Sequence, residues 1–257
     1  MIVEKTNPWL PWTDTVRLAP QRDRGGVLAI VPTAGKDPQR LARCLHSLDR
    51  AAGGLDMHVV IVLCPATPGT LRAVRKVARQ RVEIVALRGP FNYCRSMNEG
   101  LLRRREGDTS ALFLNDDVTF TAPGDLVRLR KTLRAERWAC VGPHIQGWHE
   151  QYSKVPRTAG AIRTNEPVVG ACALWDLRWL DRVGQLDEEF GVGWGLDEAD
   201  LSLRVLRLGG RYGRQDAVEI EHLQHATFGH DYTDYDGPAH TRNFRYFKSK
   251  YGPAVGD

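Results

Sequence analysis

A chain of 257 residues with a formal charge of +5 can bury a substantial core, as one large domain or two small ones. No apolar run reaches the ~18 residues of a membrane-spanning helix, and the basic residues are too dispersed for a nucleic-acid footprint. Five cysteines, odd in number and without a C-x-x-C spacing, exclude a disulfide framework and a zinc site and fit reduced thiols in a cytoplasmic protein.

Residues 1–26 read as an extended arm. They contain no signal-peptide-like apolar stretch, and Pro8, Pro11 and Pro20 forbid a long helix. The cluster Trp9-Leu10-Pro11-Trp12 is too apolar to be left in water and should pack on the domain or on a second copy in a homo-oligomer. A first strand spans 27–31 and is broken by Pro32-Thr33-Ala34-Gly35; Pro38 suits the first turn of the next helix. A second strand is expected at 57–63, a helix at 67–80, a third strand at 82–87 and a helix at 92–105 ending in Arg103-Arg104-Arg105. The fourth strand, 110–114, is apolar without alternation, as a buried strand is. Then come a helix at 123–134, a strand at 138–141, an irregular stretch at 142–165, a strand at 168–175 and a short helix at 177–183. A glycine-rich acidic loop at 190–200 leads into a helix to Leu208, closed by Gly209-Gly210. A last strand covers 218–220, and 241–251 is expected to be helical. Strands alternating with helices imply an α/β domain with a mostly parallel, Rossmann-like sheet flanked by helices.

The fourth strand ends at Asn115-Asp116-Asp117. Open α/β sheets bind ligands at the carboxyl ends of their strands, and two carboxylates there need a cation or hydrogen-bond donors to neutralise them. Oxygen ligands in that position suit Mg²⁺ or Mn²⁺ shared with a substrate phosphate. An isolated Asn-Asp-Asp is equally a turn after a strand.

The order of motifs resembles that of family 2 glycosyltransferases, which have the nucleotide-sugar-binding GT-A fold. The resemblance runs from about residue 27 to 229. It is carried by VPTAGKDPQRLARCLHSL (31–48), GPFNYCRSMNEGL (89–101), LFLNDDV (112–118) and VVGACALWDLRWLDRVGQLDEEFGVGWGLDEADLSLRVLRLG (168–209). The second piece is similar to the family's F-N-x-x-R-x-x-N-x-G segment, the third to its D-x-D-type metal motif, and the fourth to its acceptor-side acidic block.

The resemblance implies an inverting transfer of a hexosyl or deoxyhexosyl group from a nucleoside-diphosphate sugar to an unknown acceptor, with Mn²⁺ or Mg²⁺. It implies a single GT-A domain over 27–236, with a nucleotide-sugar half to about 120 and an acceptor half beyond, and a C-terminal segment at 237–257. Asp117 is the expected direct metal ligand, with Asp116 beside it touching the ribose or sugar, and His222 or else His225 completing the set. Pro32, Thr33, Arg95, Asn98 and Asn115 would line the nucleotide-sugar site, Arg95 reaching the pyrophosphate and Asn98 and Gly100 letting the helix approach. Trp194 and Gly195 would face the acceptor. The general base is Asp197 or Glu198, with Asp197 preferred, and Asp200 is expected to cap the adjoining helix. One place departs from the family: Leu63-Cys64-Pro65 stands where an Asp usually contacts the nucleobase, leaving that contact to backbone groups or Asp37. Two rivals are a sugar-1-phosphate nucleotidyltransferase, for which Pro32 to Lys36 is a poor phosphate-cradling loop, and a non-catalytic binding module of the same fold, which two intact acidic motifs disfavour.

Overall fold

The computed structural model describes residues 2–4, 25–78, 82–146, 162–164, 168–192, 195–223 and 237–252. Ten strands and seven α-helices lie within them: β1 (Ile2–Glu4), β2 (Gly26–Thr33), α1 (Pro38–Ala52), β3 (Met57–Leu63), α2 (Pro68–Val77), β4 (Val82–Ala86), α3 (Tyr93–Leu101), β5 (Asp108–Leu114), β6 (Val118–Phe120), α4 (Asp125–Ala135), β7 (Cys140–Ile145), β8 (Ile162–Thr164), β9 (Cys172–Asp176), α5 (Leu177–Val183), α6 (Asp197–Arg207), β10 (Tyr212–His222) and α7 (Pro238–Tyr251). A 3₁₀ turn covers Phe190–Val192. No helix among the described residues is long and apolar enough to cross a membrane.

The strands form one sheet in the order β1-β8-β10-β7-β9-β5-β2-β3-β4, with β6 paired to β10. From β5 to β4 every pairing is parallel. Antiparallel pairing begins at β9, which runs against both β5 and β7. The expectation of an α/β domain with one sheet flanked by helices therefore holds, with an unbroken parallel run from β5 to β4.

Strand β2 shows why the core forms where it does. All of its side chains are buried, and successive residues point to opposite faces. Val27, Ala29 and Val31 meet the apolar stripes of α1 and α4, through residues such as Leu41, Leu48, Leu126 and Leu129. Leu28 and Ile30 meet Cys94 and Met97 of α3 on the other side. Burial on both faces explains the unalternating sequence, and each such Leu or Ile contributes about 1.5–3 kcal/mol. Helix α3 lies so close to the sheet that a Cβ at Gly100 would come within 2.4 Å of Ile30 Cγ2. Gly100 thus serves helix–sheet packing.

Several boundaries differ from the sequence expectation. Helix α3 stops at Leu101, so Arg103-Arg104-Arg105 lies beyond it. Strand β10 begins at Tyr212 rather than at 218. Its first half carries Arg214 and Asp216, which are buried but neutralise each other across 2.6 Å, so no apolar run marks the strand. Residues 168–171 form a turn, and β9 starts at Cys172. Of the N-terminal arm, Ile2–Glu4 pairs parallel with β8 at the sheet edge; Trp9 and Trp12 lie outside the described residues.

Candidate active site

The acidic turn is built by three strands. β5 delivers Asn115, whose N–H donates to the Ala171 carbonyl at 2.9 Å. The chain then reverses into β6, which runs antiparallel to the tail of β10 with Val118 opposite His222. The Leu223 N–H closes the junction on the Asp117 carbonyl at 3.2 Å. Strand pairing thus brings His222 to Asp117 from the far end of the sequence.

The two adjacent aspartates face different surroundings. Asp116 turns inward, where Thr33 Oγ1 donates to its Oδ2 at 2.5 Å and the buried Arg40 guanidinium lies 3.2 Å from Oδ1 and 3.3 Å from Oδ2. Burial pushes the Asp116 carboxyl above its usual range, against the pull of Thr33 and Arg40. Both of its oxygens are thus engaged by protein donors. Asp117 Oδ1 is buried and accepts no hydrogen bond among the described residues, although His222 Nε2 is only 3.2 Å away. Such an orphaned oxygen is costly to leave alone. A carboxylate oxygen and an imidazole nitrogen facing one point fit a divalent ion. Among the described residues no group of three or more His, Cys, Asp or Glu forms a complete cage, so the remaining ligands would be substrate phosphate and water.

The second acidic group opens α6. Gly195 and Leu196 both adopt left-handed backbone, with φ of 74° and 72°, and this places Asp197 and Glu198 in the first helical turn. Asp197 is half-buried, yet so surrounded that burial is the largest reason its carboxyl is held well above the usual range. Repulsion by Glu198 and a hydrogen bond between the two carboxyl groups add to the shift. The Glu198 carboxyl packs over Gly170, where a Cβ would lie 3.6 Å from its Cδ. The Gly170 carbonyl in turn accepts the Tyr93 hydroxyl at 2.8 Å. Because the next residue, Ala171, holds Asn115, one short turn carries the acid pair on one side and the acidic turn on the other.

The remaining expected residues fall into place unevenly. Pro32 and Thr33 end β2 beside the acidic turn, but the Thr33 hydroxyl is occupied by Asp116 and by the Gly35 N–H at 3.0 Å. Arg95 donates to the Arg88 carbonyl at 3.3 Å and so lies along the loop after β4. The Asn98 amide is spent on protein: it brackets Leu186 with 3.0 Å bonds to its N–H and its carbonyl and reaches Glu188 at 3.1 Å. Asp37 caps α1 through the Arg40 N–H, and the Cys64 thiol donates to the Pro90 carbonyl at 3.2 Å. Asp200 is no cap. It lies one turn into the helix, fully buried, taking Arg204 and Lys250 at 2.7 Å and the Tyr251 hydroxyl at 2.5 Å. Gly195 is half-buried beside His240; Trp194 and His225 lie outside the described residues. Arg40, Tyr93, Gly170 and Asn243 also belong to the site or its frame. Only Arg40 carried a linear signal, a cation one turn into the helix after the first strand.

No protein-family model matches the chain, and neither does any curated protein sequence. Solved structures do. The mannosyltransferase PcManGT from Pyrobaculum calidifontis, in complex with GDP-Man and Mn²⁺, superposes with a TM-score of 0.67 at 19% identity, over 97% of this chain and 68% of that one. GalNAc-T7 with UDP, GalNAc and Mn²⁺ gives 0.62 at 11% identity, over 79% of this chain and 44% of that one. TarS of S. aureus, residues 1–349, gives 0.54 at 16% identity, over 79% and 62%. At these identities the likeness establishes architecture: the chain has the fold of the GT-A-type glycosyltransferases.

Proposed function

We propose that the chain is an inverting glycosyltransferase that moves a sugar from a nucleoside-diphosphate donor to an acceptor hydroxyl with the help of a divalent ion. The observation that carries the reading is the unbonded Asp117 Oδ1 facing His222 Nε2 at the carboxyl end of a parallel sheet. Solved structures of this fold that hold Mn²⁺ with GDP-Man or with UDP support it. An ion held there, Mn²⁺ or Mg²⁺, supplies Lewis-acid stabilisation of the departing diphosphate. Asp117 and His222 hold it; Asp116, neutralised by Thr33 and Arg40, fixes the turn from which Asp117 projects. Arg95, beside the loop after β4, adds positive charge toward the diphosphate in this reading.

In the transfer, the acceptor oxygen bonds to the anomeric carbon, the bond from that carbon to the diphosphate oxygen breaks, and the hydroxyl proton passes to a carboxylate. The sequence pattern favours Asp197 for that role; the surroundings of the pair favour Glu198. Burial and the neighbouring Glu198 hold the Asp197 carboxyl above its usual range, which favours its protonated form. Glu198 also lies over the turn that carries Asn115. Free, buried thiols throughout the chain fit a reducing cytoplasmic setting.

The test is a thermal-shift series with GDP, UDP, GDP-mannose and UDP-N-acetylgalactosamine, each with and without Mn²⁺. At a hundredfold excess over Kd the correct nucleotide stabilises the fold by about 2.7 kcal/mol. The same shift without the ion, or no shift with any of the four, overturns the reading.

A further inference from the structure

We propose that the C-terminal helix α7 positions the acid-bearing loop of the active site, with Asn243 as the residue that fixes it; this rests on reading Asp197–Glu198 as the base pair of the transfer. Asn243 is fully buried. Its amide donates both hydrogens, one to the Phe190 carbonyl and one to the Gly195 carbonyl, each at 2.8 Å. Its Oδ1 accepts from Arg242 at 3.1 Å. One side chain thus ties the two ends of the loop that precedes the base.

The bond to Gly195 matters because Leu196, the next residue, is strained. Leu196 stands at φ 72°, which for a residue with a branched side chain costs about 1–2 kcal/mol and persists only where the surroundings enforce it. The carbonyl that leads into Leu196 is the one Asn243 holds. From there the chain enters α6, and Asp197 and Glu198 are its first two residues. Release of the Gly195 carbonyl lets Leu196 relax and turns the first helical turn, with both carboxyl groups, away from the acidic turn.

Other contacts of α7 act on the same segment. Lys250 bridges Asp187 before the loop and Asp200 after it, at 2.6 and 2.7 Å. Tyr246 donates to Asp187 at 2.8 Å, and Arg242 grips Glu189 by its carbonyl and its carboxylate. The Phe190 ring packs edge-on against Tyr246, 4.9 Å between centroids. Helix α3 holds the opposite side through the bonds from Asn92 and Asn98 to residues 186 and 188. The loop is therefore gripped between the helix after β4 and the C-terminal helix, with hydrogen bonds aimed at its backbone.

The experiment uses the full chain carrying Asn243→Asp, which keeps the shape and sets an oxygen against two carbonyls, and Tyr246→Phe, a mild change that folds if the first does not. Hydrogen exchange by mass spectrometry reads the loop without any need for activity. The expected result is faster exchange in peptides covering 186–200, with peptides covering 108–120 unchanged. Nucleotide release from GDP-mannose or UDP-N-acetylgalactosamine should fall about 10- to 100-fold in kcat for Asn243→Asp, the effect of misplacing a group by about an ångström, with Mn²⁺-dependent affinity for GDP or UDP unchanged. Tyr246→Phe should show the same pattern at smaller amplitude. Unchanged exchange at 186–200 in a folded variant overturns the proposal, and so does exchange raised equally across the chain or a parallel loss of nucleotide affinity. Glu198→Gln separates the two readings: if it turns over normally, the base assignment falls, while the exchange pattern alone judges the clamp.

Discussion

The two acidic centres are held by different means. Asp116 and Asp117 sit at the end of a strand buried on both faces, and their neighbours come from adjoining strands of the same sheet. Apolar burial fixes that edge. Asp197 and Glu198 come after a segment whose regular structure beyond Val183, among the described residues, is one 3₁₀ turn. Asn92, Asn98 and Asn243 hold that segment by bonding to its main chain, and Arg204 adds bonds to the Val183 and Gln185 carbonyls. A sheet edge cannot move without breaking the core, whereas a loop on polar tethers can open locally. The acids at the sheet edge are thus expected to be preorganised, and those after the loop adjustable.

The sharpest way to break this contrast is at the sheet edge. Asp117→Ala removes the orphaned oxygen and should leave the fold intact, because that oxygen takes no hydrogen bond among the described residues. Loss of a direct ligand should lower Mn²⁺-dependent nucleotide affinity by at least about 100-fold, the upper end of what outer-shell changes cost. Calorimetric titration with GDP or UDP in the presence of Mn²⁺ measures it, and unchanged affinity removes Asp117 from the ion site.

The acid pair comes next. Glu198→Gln should lower turnover by about 10²–10⁴-fold, the contribution of a general base, without changing nucleotide affinity. Asp197→Asn should lose less than about tenfold, because Glu198, the carboxyl that lies over the turn holding Asn115, is kept. The same variant has a stability signature. The Asp197 carboxyl is raised in the folded state, so the native protein binds more protons than the unfolded chain above pH ~4. Wild-type stability therefore falls as pH rises from there toward the raised value, and Asp197→Asn should flatten that fall. Melting temperatures at pH 4 and 8 test the sign: a variant that loses as much stability as the wild type over that interval contradicts the raised carboxyl.

This contrast also explains what the sequence could reveal. The strand ending at Asn115 was legible because an unalternating apolar run capped by two acids is a local pattern, and Asp117 lies 3.2 Å from His222. The early part of β10 was not legible, because the buried charges of Arg214 and Asp216 cancel only when folded. Nothing near Asn98 shows that its amide is spent on Leu186, and nothing near Asn243 reveals two carbonyls some fifty residues earlier. Side-chain-to-backbone tethers leave no periodicity to read. Asp200 looked like a cap for the same reason: its partners Lys250 and Tyr251 lie in the C-terminal helix, far along the chain.

Asn98→Ala asks whether that residue serves the nucleotide or the loop. The substitution removes two bonds to Leu186 and one to Glu188 and leaves buried backbone groups unpaired, at about 1–3 kcal/mol. Chemical denaturation should report that loss, with Mn²⁺-dependent GDP or UDP affinity within about twofold of the wild type, far below the effect of a single lost bidentate contact. A large affinity loss at unchanged stability would return Asn98 to the nucleotide site.

The smallest effect is expected from Thr33→Val, the matching change at the sheet edge. Shape is kept and one hydroxyl is lost, so Asp116 retains Arg40 while its Oδ2 loses a 2.5 Å donor and the Gly35 N–H loses its acceptor. Losing these two hydrogen bonds should cost about 1–2 kcal/mol, or about 2–8 °C in Tm for a protein of this size. The pH dependence identifies the cause. The Asp116 carboxyl is raised by burial and drawn back by Thr33 and Arg40, so removing Thr33 raises it further. The added penalty falls on the ionised form: it vanishes below pH ~4, where the carboxyl is protonated in both folded and unfolded states, and grows as pH rises. Thr33→Val should therefore match the wild type in Tm near pH 4 more closely than at pH 8. A difference that is constant with pH would mean that the hydroxyl acts through the Gly35 N–H and packing rather than through Asp116. Because the core holds the strand on both faces, nucleotide affinity should change far less than in Asp117→Ala, and a comparable loss would show that the sheet edge is no more preorganised than the loop.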